Sequence, residues 1–159
     1  MNAITMKRIT CAMFALTFVI SSCGNGAQRN SSGVVVKSGS NSIFSVKVGD
    51  CTNSDLREAA DKLNLVPCDK PHALEAYSII ASTATTYPGA DALQVFAEQS
   101  CIDKFFGYVG VELSQSILYY TYVYPSVTSW NNKSDRSVVC FIYKATEPLL
   151  MTSVRGSKL

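Results

Sequence analysis

Four cysteines, Cys51, Cys68, Cys101 and Cys140, constrain what this chain can fold into more than any other feature. The sequence has six cysteines in 159 residues, and the other two stand in or beside an N-terminal leader. An even set of four in an exported domain of this size reads as two disulfides, with three possible pairings. The helix periodicity decides among them. Leu93, Ala97, Cys101 and Phe105 sit four apart, with Phe96 beside them, so Cys101 lies on the apolar stripe that must meet a sheet. Cys140 is inside Ser137 to Tyr143 (SVVCFIY), a continuous apolar run of buried-strand type. A Cys101–Cys140 bridge clamps helix to sheet and leaves Cys51 with Cys68. In the chain-entropy model the shorter loop contributes roughly 3 kcal/mol and the longer roughly 4 kcal/mol. The rival is a Cys/His zinc site using Cys51, Cys68 and His72, whose spacing is not that of a zinc motif.

Export is read from the first 23 residues. Lys7 and Arg8 precede Ile9 to Ile20, an uncharged and largely apolar run. That run is shorter than the roughly 20 residues a membrane-spanning helix needs, and fits the core of a signal peptide, residues 1–22. Ile20-Ser21-Ser22-Cys23-Gly24 then resembles the lipobox of bacterial lipoproteins, where the cysteine takes a diacylglyceryl group on sulfur and becomes the new N-terminus. Two or three acyl chains, at about 0.8 kcal/mol per buried CH₂, anchor stably where one does not. The expected location is the extracytoplasmic face of the cell membrane, with the membrane itself the first partner. The closing Ser157-Lys158-Leu159 matches a peroxisomal address, which is incompatible with that leader.

Charge excludes further classes. The chain holds 14 basic and 12 acidic residues; removal of Lys7 and Arg8 with the leader leaves 12 against 12. A neutral chain without a basic cluster has no electrostatic footprint for nucleic acid. A single His72 argues against most His-based metal sites, and neither a metal nor another cofactor is expected.

Residues 23–42 read as a lipid-anchored flexible linker. Gly24 to Ser42 has 12 Gly, Asn or Ser residues in 19, too little apolar surface to offset ordering entropy. As a coil it would span roughly 25 Å. The folded domain is placed at 43–159. Ile43 to Val48 alternates as a strand ended by Gly49-Asp50. Asn53 to Leu63 reads as a short helix capped by Asn53 or Ser54. Ala73 to Ala81 is ambiguous, its aromatic and β-branched residues favouring strand. Pro88-Gly89 opens one helix from Asp91 to about Phe106, which Gly107 and Gly110 stop. Ser116 to Tyr124 has strand composition, and Pro125 to Arg136 reads as a long loop holding Trp130. The order implies α+β: a small antiparallel sheet with one main helix packed on it, stapled by two disulfides.

Chemistry is scarcely written. No G-x-S-x-G turn, H-E-x-x-H pair or phosphate loop is present. A cell-wall hydrolase would need His72 as base, oriented by Asp69 or Glu75; a histidine after proline more often bonds a backbone carbonyl. Asp50, Asp69, Glu75 and Asp91 stand one per turn or loop, as solvated surface groups do. Tyr120, Tyr122 and Tyr124 share one strand face and are expected in the core. The remaining aromatic surface, centred on Trp130 with Asp135 and Arg136 beside it, is the candidate binding site, with His72 as a further candidate.

Val48-Gly49-Asp50-Cys51 and Val66-Pro67-Cys68-Asp69-x-Pro71-His72-x-x-Glu75 resemble the bacterial septum formation family. Tyr87-Pro88-Gly89, Cys101, Phe105, Tyr108-Val109-Gly110, Tyr124-Pro125-Ser126, Ser129-Trp130, Asp135-Arg136 and Val139-Cys140 continue the resemblance across nearly the whole domain. Asn131 to Ser134 departs from it where members often carry a glycine. The resemblance implies an exported or membrane-anchored actinobacterial protein associated with septum formation, and no enzymatic activity. The expectation is thus a non-enzymatic lipoprotein that binds an envelope or division partner, the rivals being the hydrolase and a ligand-carrying envelope lipoprotein.

Overall fold

The structure is a computed structural model that describes residues 25–56, 61–147 and 149–159. The signal segment and Cys23 lie outside the described residues.

Six strands form one antiparallel sheet in the order β3-β5-β4-β6-β8-β7. They are β3 (Gly39–Ser42), β4 (Cys51–Thr52), β5 (Lys62–Val66), β6 (Leu74–Ala81), β7 (Leu118–Val123) and β8 (Ser137–Lys144). A separate two-stranded ribbon, β1 (Gln28–Arg29) with β2 (Val35–Lys37), precedes them. Helix α1 (Ala90–Val109) packs on one face of the sheet, and a second short helix, α2 (Val127–Lys133), links β7 to β8. The architecture is α+β, one main helix on a small antiparallel sheet.

Helix α1 follows from its sequence. Asp91 stands in the first turn, where a carboxylate favours the positive end of the helix dipole. Leu93, Ala97, Cys101 and Phe105 are buried along one stripe. The helix runs through Gly107 and ends at Gly110, whose φ of 88° is left-handed and whose N–H closes on the Phe106 carbonyl. Gly107 therefore does not stop it. The two expected disulfides are present, Cys51–Cys68 and Cys101–Cys140, with Cα–Cα separations of 5.3 and 5.6 Å. The second joins the helix stripe to the centre of β8.

Because strand side chains alternate, the sheet has two buried faces. Toward α1, Val138, Cys140 and Ile142 of β8 join Leu118 and Tyr77, with Tyr120, Tyr122 and Tyr124 packed beside them, as expected for that tyrosine face. On the other face Val139 and Phe141 meet Leu63, Leu65, Ala76, Ile43, Val46 and Val35.

Four expectations need correction. Residues 25–42 are not a coil: they carry β1, β2 and β3. Arg29 donates twice to Asp50, at 2.6 Å each, and to the Gly33 carbonyl at 2.8 Å, which pins the ribbon to the domain. Ile43–Ser45 is a 3-10 turn rather than strand, capped by the Ser42 hydroxyl. Lys62–Val66 is strand β5, so the proposed helix cannot extend there; residues 57–60 of that proposal lie outside the described residues. Within the supposed loop at Pro125–Arg136 sits α2, begun by a capping box in which Ser126 and Ser129 bond each other's backbone N–H.

Candidate functional site

On the face away from α1 a groove of about 850 Å³ opens between the Ile43–Ser45 turn and α2. Strand alternation brings Ile79, Val123 and Val139 to its floor, and Phe44 adds a half-exposed ring. Ser129, Lys133, Asp135 and Arg136 supply its polar side. The volume is in the range of small-molecule and peptide pockets, and the mixture of apolar floor with a few polar groups is the usual composition of such sites.

Each charged group at this rim is held by neighbours. Asp135 accepts from the Ser129 hydroxyl and the Ser137 N–H, both at 3.0 Å. Arg136 donates to the Trp130 carbonyl at 3.0 Å, and its guanidinium carbon lies 3.8 Å from the Trp130 ring centroid. Lys133 bonds Asp61 at 3.2 Å. The site is thus preformed, with its guanidinium stacked and aimed. Trp130 itself is only 2% exposed, packed edge-on against Tyr87 at 5.7 Å. Its ring is buried beneath the Arg136 guanidinium, which it supports.

His72 is not part of this groove. It is fully buried, and its backbone pairs with Leu150 in both directions. Nδ1 meets the Lys70 carbonyl at 2.7 Å, so that nitrogen carries the proton, as a histidine bonding a backbone carbonyl must. Among the described residues Nε2 has no hydrogen-bond partner, and it faces a Glu75 oxygen at 3.9 Å.

Glu75 overturns the expectation of four solvated carboxylates, and so does Asp50; Asp69 and Asp91 are exposed. Glu75 Oε1 accepts from the Tyr108 and Ser153 hydroxyls, each at 2.5 Å, and Oε2 from the Val154 N–H at 2.8 Å. Burial opposes its ionisation most strongly, yet the nearby His72 ring and these three donors together hold the carboxyl below its ordinary pKa. Burial first, and then the Glu75 carboxylate, push the Tyr108 phenol upward. Cys51 Sγ, His72 and Glu75 offer atoms within 4.8 Å of one another. The Cys51 sulfur is bonded to Cys68, however, and has no thiolate to give a zinc ion while that bond stands.

Of the four residues singled out from sequence, the fold therefore brings Trp130, Asp135 and Arg136 together and keeps His72 apart. Phe44, Ile79 and Ser129 were missed. The Ser126-x-x-Ser129 spacing was a readable signal for the helix that positions the last of these, whereas Phe44 and Ile79 meet only through the sheet.

The class of protein is defined by the chain as a whole. The septum formation family model matches residues 15–140, and the chain belongs to that family. No curated protein and no solved structure matches it. Among the described residues, no helix is long and apolar enough to cross a membrane.

Proposed function

We propose that this chain is an exported lipoprotein, anchored through Cys23 to the outer face of the cell membrane, that serves septum formation by binding an envelope or division partner rather than by catalysis. The groove carries this reading: an apolar floor of Ile79, Val123 and Val139 flanked by the stacked Arg136 and the braced Asp135. Membership of the septum formation family supports the cellular setting, and two disulfides suit an oxidising compartment. Full burial of His72 counts against the hydrolase rival, since a general base must reach the proton it removes.

The test uses growing cells expressing the full chain with a photo-crosslinking amino acid at Ile79. Wild type is compared with Cys23→Ala and Arg136→Ala. The expected result is capture of division or wall-synthesis proteins that falls in both variants, with Cys23→Ala leaving the membrane fraction. Equal capture by Arg136→Ala, or loss of function on His72→Ala with the fold intact, would sink the reading.

A further inference from the structure

The two edges of the six-stranded sheet are treated differently. At the β3 edge the preceding chain lies directly against the strand: Ser40 N–H donates to the Asn25 carbonyl and Ala27 N–H to the Asn41 side chain, both at 2.8 Å. Gly39 is approached so closely there that a Cβ would lie 2.3 Å from the Ala27 nitrogen. At the other edge β7 pairs with β8 over Leu118–Val123 without a bulge, and among the described residues no backbone hydrogen bond reaches its outer side.

An open edge strand is ordinarily blunted by charge, proline or a bulge. Strand β7 has none of these, and the 20 residues from Leu113 to Asn132 contain no charged side chain.

Helix α1 extends the same surface. Glu98 accepts from the Tyr122 hydroxyl at 2.9 Å, which identifies the side of the helix that faces β7. Turning 100° per residue, Asp91 in the first turn and the buried Val109 lie about 20° beyond Glu98, and Ile102, Val95 and Phe106 follow at about 40°, 60° and 80°. They are 42%, 67% and 53% exposed. This exposed apolar stripe continues round the helix from the side that meets β7.

We propose that β7 pairs antiparallel with β7 of a second copy of this chain, joining two sheets across a two-fold axis. An axis perpendicular to the sheet keeps both helices on one face and sets the two Ile102–Phe106 stripes against each other. The occupant follows from charge. A two-fold antiparallel contact lays the strand against itself, which like charges would oppose and an uncharged strand permits. A charged foreign segment finds no complementary group along β7. The proposal goes beyond the groove-binding reading and is independent of it, since the groove lies on the opposite face.

The experiment places a benzophenone amino acid at Val95 of the full chain, purified in mild detergent, and irradiates it. The expected product has twice the chain mass, and Ile102→Glu lowers its yield by about tenfold or more, as loss of a buried apolar anchor does. The same amino acid at Ile79 gives no such product. Val95→Glu, in the wild-type background and followed by sedimentation, is the second variant should Ile102→Glu disturb the circular dichroism of the fold. A monomer in both assays, a crosslink insensitive to both substitutions, or adducts only to other proteins would overturn the proposal.

Discussion

Glu75 occupies β6, where strand alternation turns it toward Tyr108 of α1 and the chain's last residues rather than toward water. Its lowered pKa has a direct consequence for stability. A carboxyl easier to ionise folded than unfolded contributes stability above the unfolded value, about 4.3, and that contribution is lost as pH falls through the lower folded value. Glu75→Gln presents an amide N–H₂ to groups that need an acceptor, so we expect a loss of roughly 1–3 kcal/mol at pH 7. The difference from wild type should shrink in acid. Urea midpoints recorded from neutral pH downward check both the size and the trend; an undiminished gap in acid would contradict the assignment of charge to this residue.

The ribbon β1–β2 and the linker it replaces differ at the scale of elements. Arg29 holds the ribbon through two bonds to Asp50, which also accepts from the Lys47 N–H at 2.8 Å. Arg29→Ala is expected to cost roughly 1–3 kcal/mol and to speed amide exchange in residues 28–37 while α1 stays protected; uniform acceleration would show that the ribbon is integral to the core. The same element shows why part of the fold was legible and part was not. Helix α1 and strands β7 and β8 could be read because their apolar spacing or composition is itself the reason they are buried. Gly24–Ser42 reads as coil because its partner, Asp50, is remote in sequence. Lys62–Val66 does alternate, with Leu63 and Leu65 buried, but the cap-like Asn53 and Ser54 pulled the reading toward helix. Short α2 has no apolar period, only its capping serines. At the groove, Asp135 and Arg136 were legible by type and proximity; the burial of Trp130 beneath them depends on Tyr87, 43 positions earlier.

For the molecule as a whole, the two bridges act on different scales of chain. Cys51–Cys68 spans 17 positions and Cys101–Cys140 spans 39. The chain-entropy model gives about 3 and about 4 kcal/mol. The second also lies wholly within the core beneath α1. Replacing Cys101 and Cys140 together by alanine should therefore lower the denaturation midpoint more than replacing Cys51 and Cys68; the reverse order would show that the small loop beside Glu75 governs global stability.

The placement of Glu75 also orders events in time. Ser153 and Val154, which satisfy its carboxylate, follow it by 78 and 79 residues. Nearby, the Gly156 and Lys158 amides close on the carbonyls of Tyr108 and Val109. A chain leaving the ribosome N-terminus first carries Glu75 without these partners until residues 153 and 154 have emerged. The carboxylate network of Glu75 therefore closes only after a stretch of 78 residues has been added behind it, so its contribution belongs to the later contacts made during synthesis.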